Sequence, residues 1–348
     1  MRRAPPLIRH GSHIKPHYAP APGEADSWTG ISTDEARPDG NDTGIVKRFN
    51  KCQRAGETPQ TLGLIDQIYP QAIRYNANLA GLRGLSIMAG LFTLGGVPFF
   101  IFMEWDSFGR GEWVSTSIFL VRVVLAGTTI FLWSARLELF RPIDEPTIFD
   151  RKHRKVYRVF CEAQPGWTGL FKPWPMRAVE YDWDLIDAEH TATLVTTGST
   201  VRREHALVFI VRRSAADPTI IDSFNIGNSL IMVTDDAVDA TWEHIRRYME
   251  EDGPPLPPGE TITVTEPKKS LWQKLLNISP LRSTYWSWWR EQLPLMLLAH
   301  VLFPISIPFV LLWLFLGWLS EKTSRPIEWP PEVVAAVGPD VAAPTPTL

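Results

Sequence analysis

Cysteine is scarce in this chain, with two in 348 residues, Cys52 and Cys161. A pair so far apart is neither a disulfide framework nor a metal motif, so free thiols in a reducing compartment are expected. Excess charge of one sign is missing too. The formal net charge is -3 and the pI about 6.3, which gives no bulk electrostatic case for nucleic acid. No apolar h-region follows Met1-Arg2-Arg3, so no cleaved secretory signal is expected, and membrane targeting must rest on internal segments. Nucleophile elbows, Walker loops, dinucleotide fingerprints, zinc motifs and kinase signatures are all lacking. The expectation is a non-enzymatic protein without a cofactor or metal.

What the chain does have is strong segregation. Hydrophobic residues make up 45% and charged residues 21%, and there are 15 Trp and 30 Pro. Residues 1–80 read as a largely disordered N-terminal region, since Pro, Gly, Asp, Glu and Ser recur there without periodicity. His10, His13 and His17 lie close together in it, with no acidic or thiol ligand to complete a metal set. A charge-free run then ends at Met103, long enough to cross a hydrocarbon core of about 30 Å. After a short polar turn, residues 114–134 form a second run interrupted only by Arg122. Residues 84–134 therefore read as a transmembrane helical hairpin, with Trp105, Trp113 and Trp133 at interfacial positions.

Residues 140–253 read as a soluble β-rich domain closed by one helix. Strands are expected at 147–149, 155–161, 177–183, 192–197, 206–212 and 219–224, with turns carrying charge, Gly, Pro or Ser. Val179, Tyr181 and Trp183 share one face of their strand. Thr234 caps the helix and Asp235 and Asp236 occupy its first turn. Val238, Trp242, Ile245 and Met249 form its apolar stripe, with Arg246, Arg247, Glu250 and Glu251 facing out. Asp182, Asp184, Asp187, Glu189 and His190 cluster between two strands. They could bind a cation, but their spacing matches no ligand loop, and a solvated strand end and turn is the preferred reading.

Residues 254–292 join a Pro-rich linker to a basic segment carrying Trp286, Trp288 and Trp289, suited to the headgroup level. Residues 293–319 are apolar and contain Pro304 and Pro308, which leaves either one kinked span or a re-entrant hairpin. The tail, 320–348, reads as disordered. Arg136, Arg141, Arg151, Lys152, Arg154 and Lys155 follow the second run, whereas the turn between the runs carries Glu104, Asp106 and Glu112 against Arg110. Positive residues stay inside, so the N-terminal region and central domain are expected to be cytoplasmic.

Two sets of residues invite a partner. Arg122 costs about 2.5–3.5 kcal/mol inside a bilayer on insertion scales, so it either snorkels or faces protein. Arg151, Lys152, Arg154 and Lys155 either touch anionic lipid or form a charged hairpin tip, the latter preferred.

The order of short antiparallel strands followed by one amphipathic helix, over residues 145–252, resembles the pleckstrin-homology-like fold. The segments Phe140-Arg141-Pro142, Ile148-Phe149-Asp150-Arg151-Lys152, Lys155-Val156-Tyr157-Arg158-Val159 and Ala178-Val179-Glu180-Tyr181-Asp182-Trp183 resemble a family of Gram-negative inner-membrane proteins of uncharacterised function. Its members are often encoded beside type VI secretion effectors, including pore-forming ones. The resemblance implies an immunity or accessory protein in the bacterial inner membrane, whose partners are the bilayer and a membrane-acting effector. A membrane-anchored scaffold or sensor, whose cytoplasmic domain binds protein or anionic lipid, is the competing reading. A transporter would call for more spans and more polar groups within them.

Overall fold

The computed structural model describes residues 4–9, 44–76, 83–105, 107, 110–164, 166–172, 174–197, 200–227, 232–263 and 270–341. Among the described residues, ten strands form two sheets. They are β1 (Leu7–Arg9), β2 (Ile45–Phe49), β3 (Ile65–Ile68), β4 (Ala72–Tyr75), β5 (Thr147–Asp150), β6 (Lys155–Cys161), β7 (Met176–Asp182), β8 (Ile186–Thr197), β9 (Thr200–Arg212) and β10 (Ile220–Ile226). The first sheet has the order β1-β7-β6-β5-β4-β3 and the second β10-β9-β8-β2. Neighbours are antiparallel except β1, which lies parallel to β7.

Strand alternation builds the core between the sheets. Val179, Tyr181 and Trp183 are all fully buried, as their shared face requires. Helix α4 (Asp235–Glu250) brings Trp242 into stacked contact with Phe49 at 5.3 Å and Trp183 at 6.0 Å between ring centroids. Its cap is the expected one, since the Ala237 N–H donates to Thr234 Oγ1 at 3.3 Å.

Two expectations fail at the N-terminal region. Residues 44–76 are folded rather than disordered, and they supply β2 to β4. Their apolar residues are few but well placed: Leu64, Ile65, Ile73 and Tyr75 are each at most 1% exposed. Strong pairing at β3–β4, where Asp66 takes both Arg74 Nε and Nη2 at 2.7 Å, offsets the polar composition. The same segment overturns the outward placement of Arg246. The Ala55 N–H donates to Glu243 Oε2 at 2.9 Å, Arg246 clamps both Glu243 oxygens, and the Gln60 N–H donates to the Ala240 carbonyl. Residues 50–62 thus cover the outer side of α4, and Glu243 and Arg246 are buried as a pair. His10, His13 and His17 lie outside the described residues.

The linker and tail are corrected in the same way. The Thr263 N–H donates to the Ile65 carbonyl at 2.9 Å, so the first part of 254–292 belongs to the folded body. In the tail expected to be disordered, helix α9 (Pro331–Val337) seats Val333 and Val337 against Tyr69, Ala72, Ile148 and Tyr157 on the outer face of the first sheet.

Among the described residues, three helices are long and apolar enough to cross a membrane. The first combines α1 (Leu85–Gly95) and α2 (Val97–Met103), which join at Gly96. The second is α3 (Trp113–Glu138), and the third is α8 (Phe303–Thr323). At 1.5 Å per residue they reach about 28, 39 and 31 Å. The apolar run 293–319 is divided at Leu302 into α7 (Leu293–Val301) and α8, where Pro304 cannot continue the hydrogen-bond ladder.

α1 and α3 run antiparallel, with small residues at the contact. A Cβ at Gly90 would stand 2.9 Å from Ser134 Cβ, and one at Gly127 3.1 Å from Val97 Cγ2. α8 joins them even more closely. Gly84 has φ +94°, and a Cβ there would lie 2.6 Å from the Gly317 nitrogen.

Candidate functional site

The three span helices meet the folded body at one polar collar. Glu138, at the last turn of α3, accepts from the Gly84 N–H at 2.7 Å and the Ser86 N–H at 2.8 Å. These are orphan donors at the start of α1, so the carboxylate caps one helix from another. Ser320 Oγ of α8 donates to the Glu138 carbonyl at 3.3 Å, and Trp313 Nε1 donates to the Arg83 carbonyl at 2.9 Å. Arg83 Nη2 reaches the Arg141 and Pro142 carbonyls at 3.3 and 3.4 Å. In helix α5 (Leu271–Asn277), Lys274 Nζ pairs with Glu321 Oε1 at 2.5 Å. The segment from α5 to α8 therefore begins and ends at the collar.

Away from the collar the helices present apolar surface outward. Phe102 and Val114 are each 75% exposed, a cost in water that lipid removes. Arg122 is exposed on this surface of α3. It lies about 14 Å along the axis from Trp113 and about 24 Å from Glu138. None of the described ion pairs includes it.

The basic residues of the central domain occupy the β5–β6 turn. Arg154 bridges Asp184 at 2.5 Å and Glu250 at 3.2 Å, and Lys155 pairs with Glu180. Arg151 bonds Gln71 and the Gly253 carbonyl and lies over the Tyr248 ring, whereas Lys152 is exposed. The Cys161 end of β6 meets the span base through Glu145 and Trp174, and the turn lies about 20 Å along the strand from it. The patch is thus a charged hairpin tip whose cations are mostly held by the domain itself.

Trp286, Trp288 and Trp289 come together on α6 (Ser283–Glu291). Trp286 and Trp288 are exposed, and the Trp286 indole donates to the Pro280 carbonyl at 2.9 Å. α6 folds back on α7, with the Tyr285 hydroxyl 2.7 Å from His300 Nε2 and Trp289 against the His300 ring at 4.8 Å. These tryptophans are remote in sequence from Arg122.

Asp182 and Asp184 are exposed at the strand end and turn, as read, but strand alternation takes the rest of the acidic cluster apart. Asp187 and Glu189 point to Arg212 and Arg48, at 2.7 and 2.9 Å. His190 points the other way, into the interior. Register places Ala192 opposite His205 and Leu207 opposite His190, so the two histidines are diagonal neighbours on the core-facing side of the sheet. Their facing nitrogens are 3.0 Å apart, and Asp235, at the first turn of α4, reaches both. Burial pushes the His190 imidazolium down and Asp235 partly opposes it. His205 and Asp235 escaped the sequence reading as site residues. The signal was the β8–β9 register, which pairs Thr197 with Thr200 and brings both histidines to one face.

Two sheets closed by helices, joined through a polar collar to three helices long and apolar enough to cross a membrane, define a mixed α+β protein among the described residues. The model of DUF6708, a family of unknown function, matches residues 124–338, and the chain belongs to that family. The match runs from within α3 to the end of α9 and leaves out β1 to β4 and the first span helix. No curated protein and no solved structure matches the chain.

Proposed function

We propose that this chain is a non-enzymatic, multi-pass protein of the bacterial inner membrane, serving as an immunity or accessory protein of a type VI secretion effector. Arg122 carries the reading. A guanidinium exposed on the outward side of a span helix calls for a partner that supplies polar groups within the bilayer. An inserting effector helix is such a partner, and polar contacts in lipid are worth about 1 kcal/mol each. In this reading α1 to α3 form a transmembrane hairpin, and the folded body is a pleckstrin-homology-like domain on the cytoplasmic side. The meander β4–β7, followed by β8–β10 and α4, supports that assignment, as does the basic flank after α3.

Competition between a deletion strain and its parent tests the proposal. The deletion strain grows normally alone but is killed by wild-type siblings, and the killing disappears when the neighbouring effector gene is also deleted. Equal competition while the secretion system fires removes the immunity reading and leaves the scaffold one.

A further inference from the structure

We propose that His190, His205 and Asp235 bind one divalent transition-metal ion of the Zn²⁺ class, stapling the β8–β9 ribbon to the start of α4. The three donor atoms form a near-equilateral triangle. His190 Nε2 to His205 Nδ1 is 3.0 Å, His205 Nδ1 to Asp235 Oδ1 is 2.9 Å, and His190 Nε2 to Asp235 Oδ1 is 3.5 Å. Ligand bonds of about 2.0–2.1 Å in a tetrahedral zinc site put neighbouring donors about 3.3 Å apart. The observed edges bracket that value.

Hydrogen bonding alone satisfies this triangle poorly. A neutral imidazole nitrogen either donates or accepts. If His205 Nδ1 donates to Asp235, it has no lone pair for His190. If it accepts from His190, its edge to the carboxylate is an unfavourable contact between two acceptors. A cation at the centre uses all three lone pairs at once and leaves a fourth position for water.

Both imidazoles are already fixed for that role. His190 is 1% and His205 6% exposed, and the β8–β9 register holds them on one face. The charge around them suits a cation. The start of α4 carries Asp235, Asp236 and Asp239, against Lys47, whose Nζ is 3.0 Å from Asp239. These carboxylates offset the positive end of the helix dipole. Two imidazoles with one carboxylate select Zn²⁺, Co²⁺, Ni²⁺ or Cu²⁺ over Ca²⁺ and Mg²⁺, which take oxygen sets.

The test uses the full-length chain in detergent, stripped with a chelator and titrated with Zn²⁺ by calorimetry. Co²⁺ absorption reports the coordination geometry in parallel. One equivalent binds, Co²⁺ gives the spectrum of a tetrahedral site, and Zn²⁺ raises the melting midpoint. Asp235→Ala, at an exposed side chain that the core does not need, weakens binding at least tenfold and abolishes the midpoint shift, with the metal-free midpoint nearly unchanged. A triple His10→Ala, His13→Ala, His17→Ala variant binds as the parent does. The proposal is overturned if the stripped parent takes up no Zn²⁺, if Asp235→Ala binds as tightly as the parent, or if the N-terminal triple variant loses the metal.

Discussion

Glu138 Oε2 accepts a hydrogen bond from the Gly84 N–H at 2.7 Å, so the last turn of one span helix caps the first turn of another. Glu138 is 7% exposed, and its carboxylate takes a second N–H from Ser86. Removing it leaves both donors buried without partners, at a cost of about 1–3 kcal/mol for each such group. Glu138→Ala therefore lowers the denaturation midpoint of the detergent-solubilised protein. An unchanged midpoint would remove the collar from the account of how the spans are held.

Residues 263 and 333 both sit in the folded body, and α8 ends at the collar beside α5. The chain between them must cross the membrane an even number of times. If α8 spans, α5 to α7 provide the return path. A reporter fused at the C-terminus is thus expected to give the same sidedness as one at Gly198, cytoplasmic, with a reporter at Gly111 on the opposite side. Opposite signals from the C-terminus and Gly198 would contradict the parity argument.

The central domain was legible because its strands alternate cleanly. The six expected strands match β5 to β10 within a few residues at most ends, though β8 and β9 begin six residues earlier than expected, and Thr234 and Trp242 behave as read. The N-terminal strands were not legible. β2 is five residues long and β3 and β4 four each, they carry Lys47, Arg48, Asp66 and Arg74, and the β3–β4 hairpin joins the sheets' other strands only through β4–β5, as β2 does through β8, across the span helices. Arg122 could be picked out by charge alone, whereas His205 and Asp235 needed a register and a helix position that no local pattern states.

Tying β4 to β5 and β2 to β8 has a consequence for fragments. Residues 140–253 expressed alone leave both sheets with unpaired edges and α4 uncovered, and such edges aggregate. That fragment is expected to be poorly soluble. Joining residues 44–76 to 140–263 and 324–341 through flexible linkers restores a monodisperse, β-rich protein. Equal solubility of the short fragment, measured by size-exclusion chromatography, would contradict this.

Acid weakens the fold through His244. Burial holds it down to about 4, with the Tyr75 hydroxyl 2.7 Å from its Nδ1. The unfolded chain takes up the proton near pH 6.5 and the folded one only near 4. Stability is therefore full above pH 6.5 and is lost as pH falls toward 4, by about 3 kcal/mol in total. His190, also held down, acts in the same direction. Melting midpoints between pH 7.5 and 4.5 should fall, and His244→Gln should flatten that slope while lowering the midpoint at neutral pH. A slope unchanged by the substitution would assign the acid sensitivity to other groups.

One substitution tests whether Arg122 meets an inserting effector within the bilayer. Arg122→Leu removes the only charge in the interior of α3 and costs nothing in lipid. Survival of the variant strain against effector-delivering siblings is measured beside the amount of the protein in purified inner membranes. Survival is expected to fall toward that of the deletion strain while the membrane level stays at that of the parent. Full protection by the leucine variant at equal abundance would contradict it.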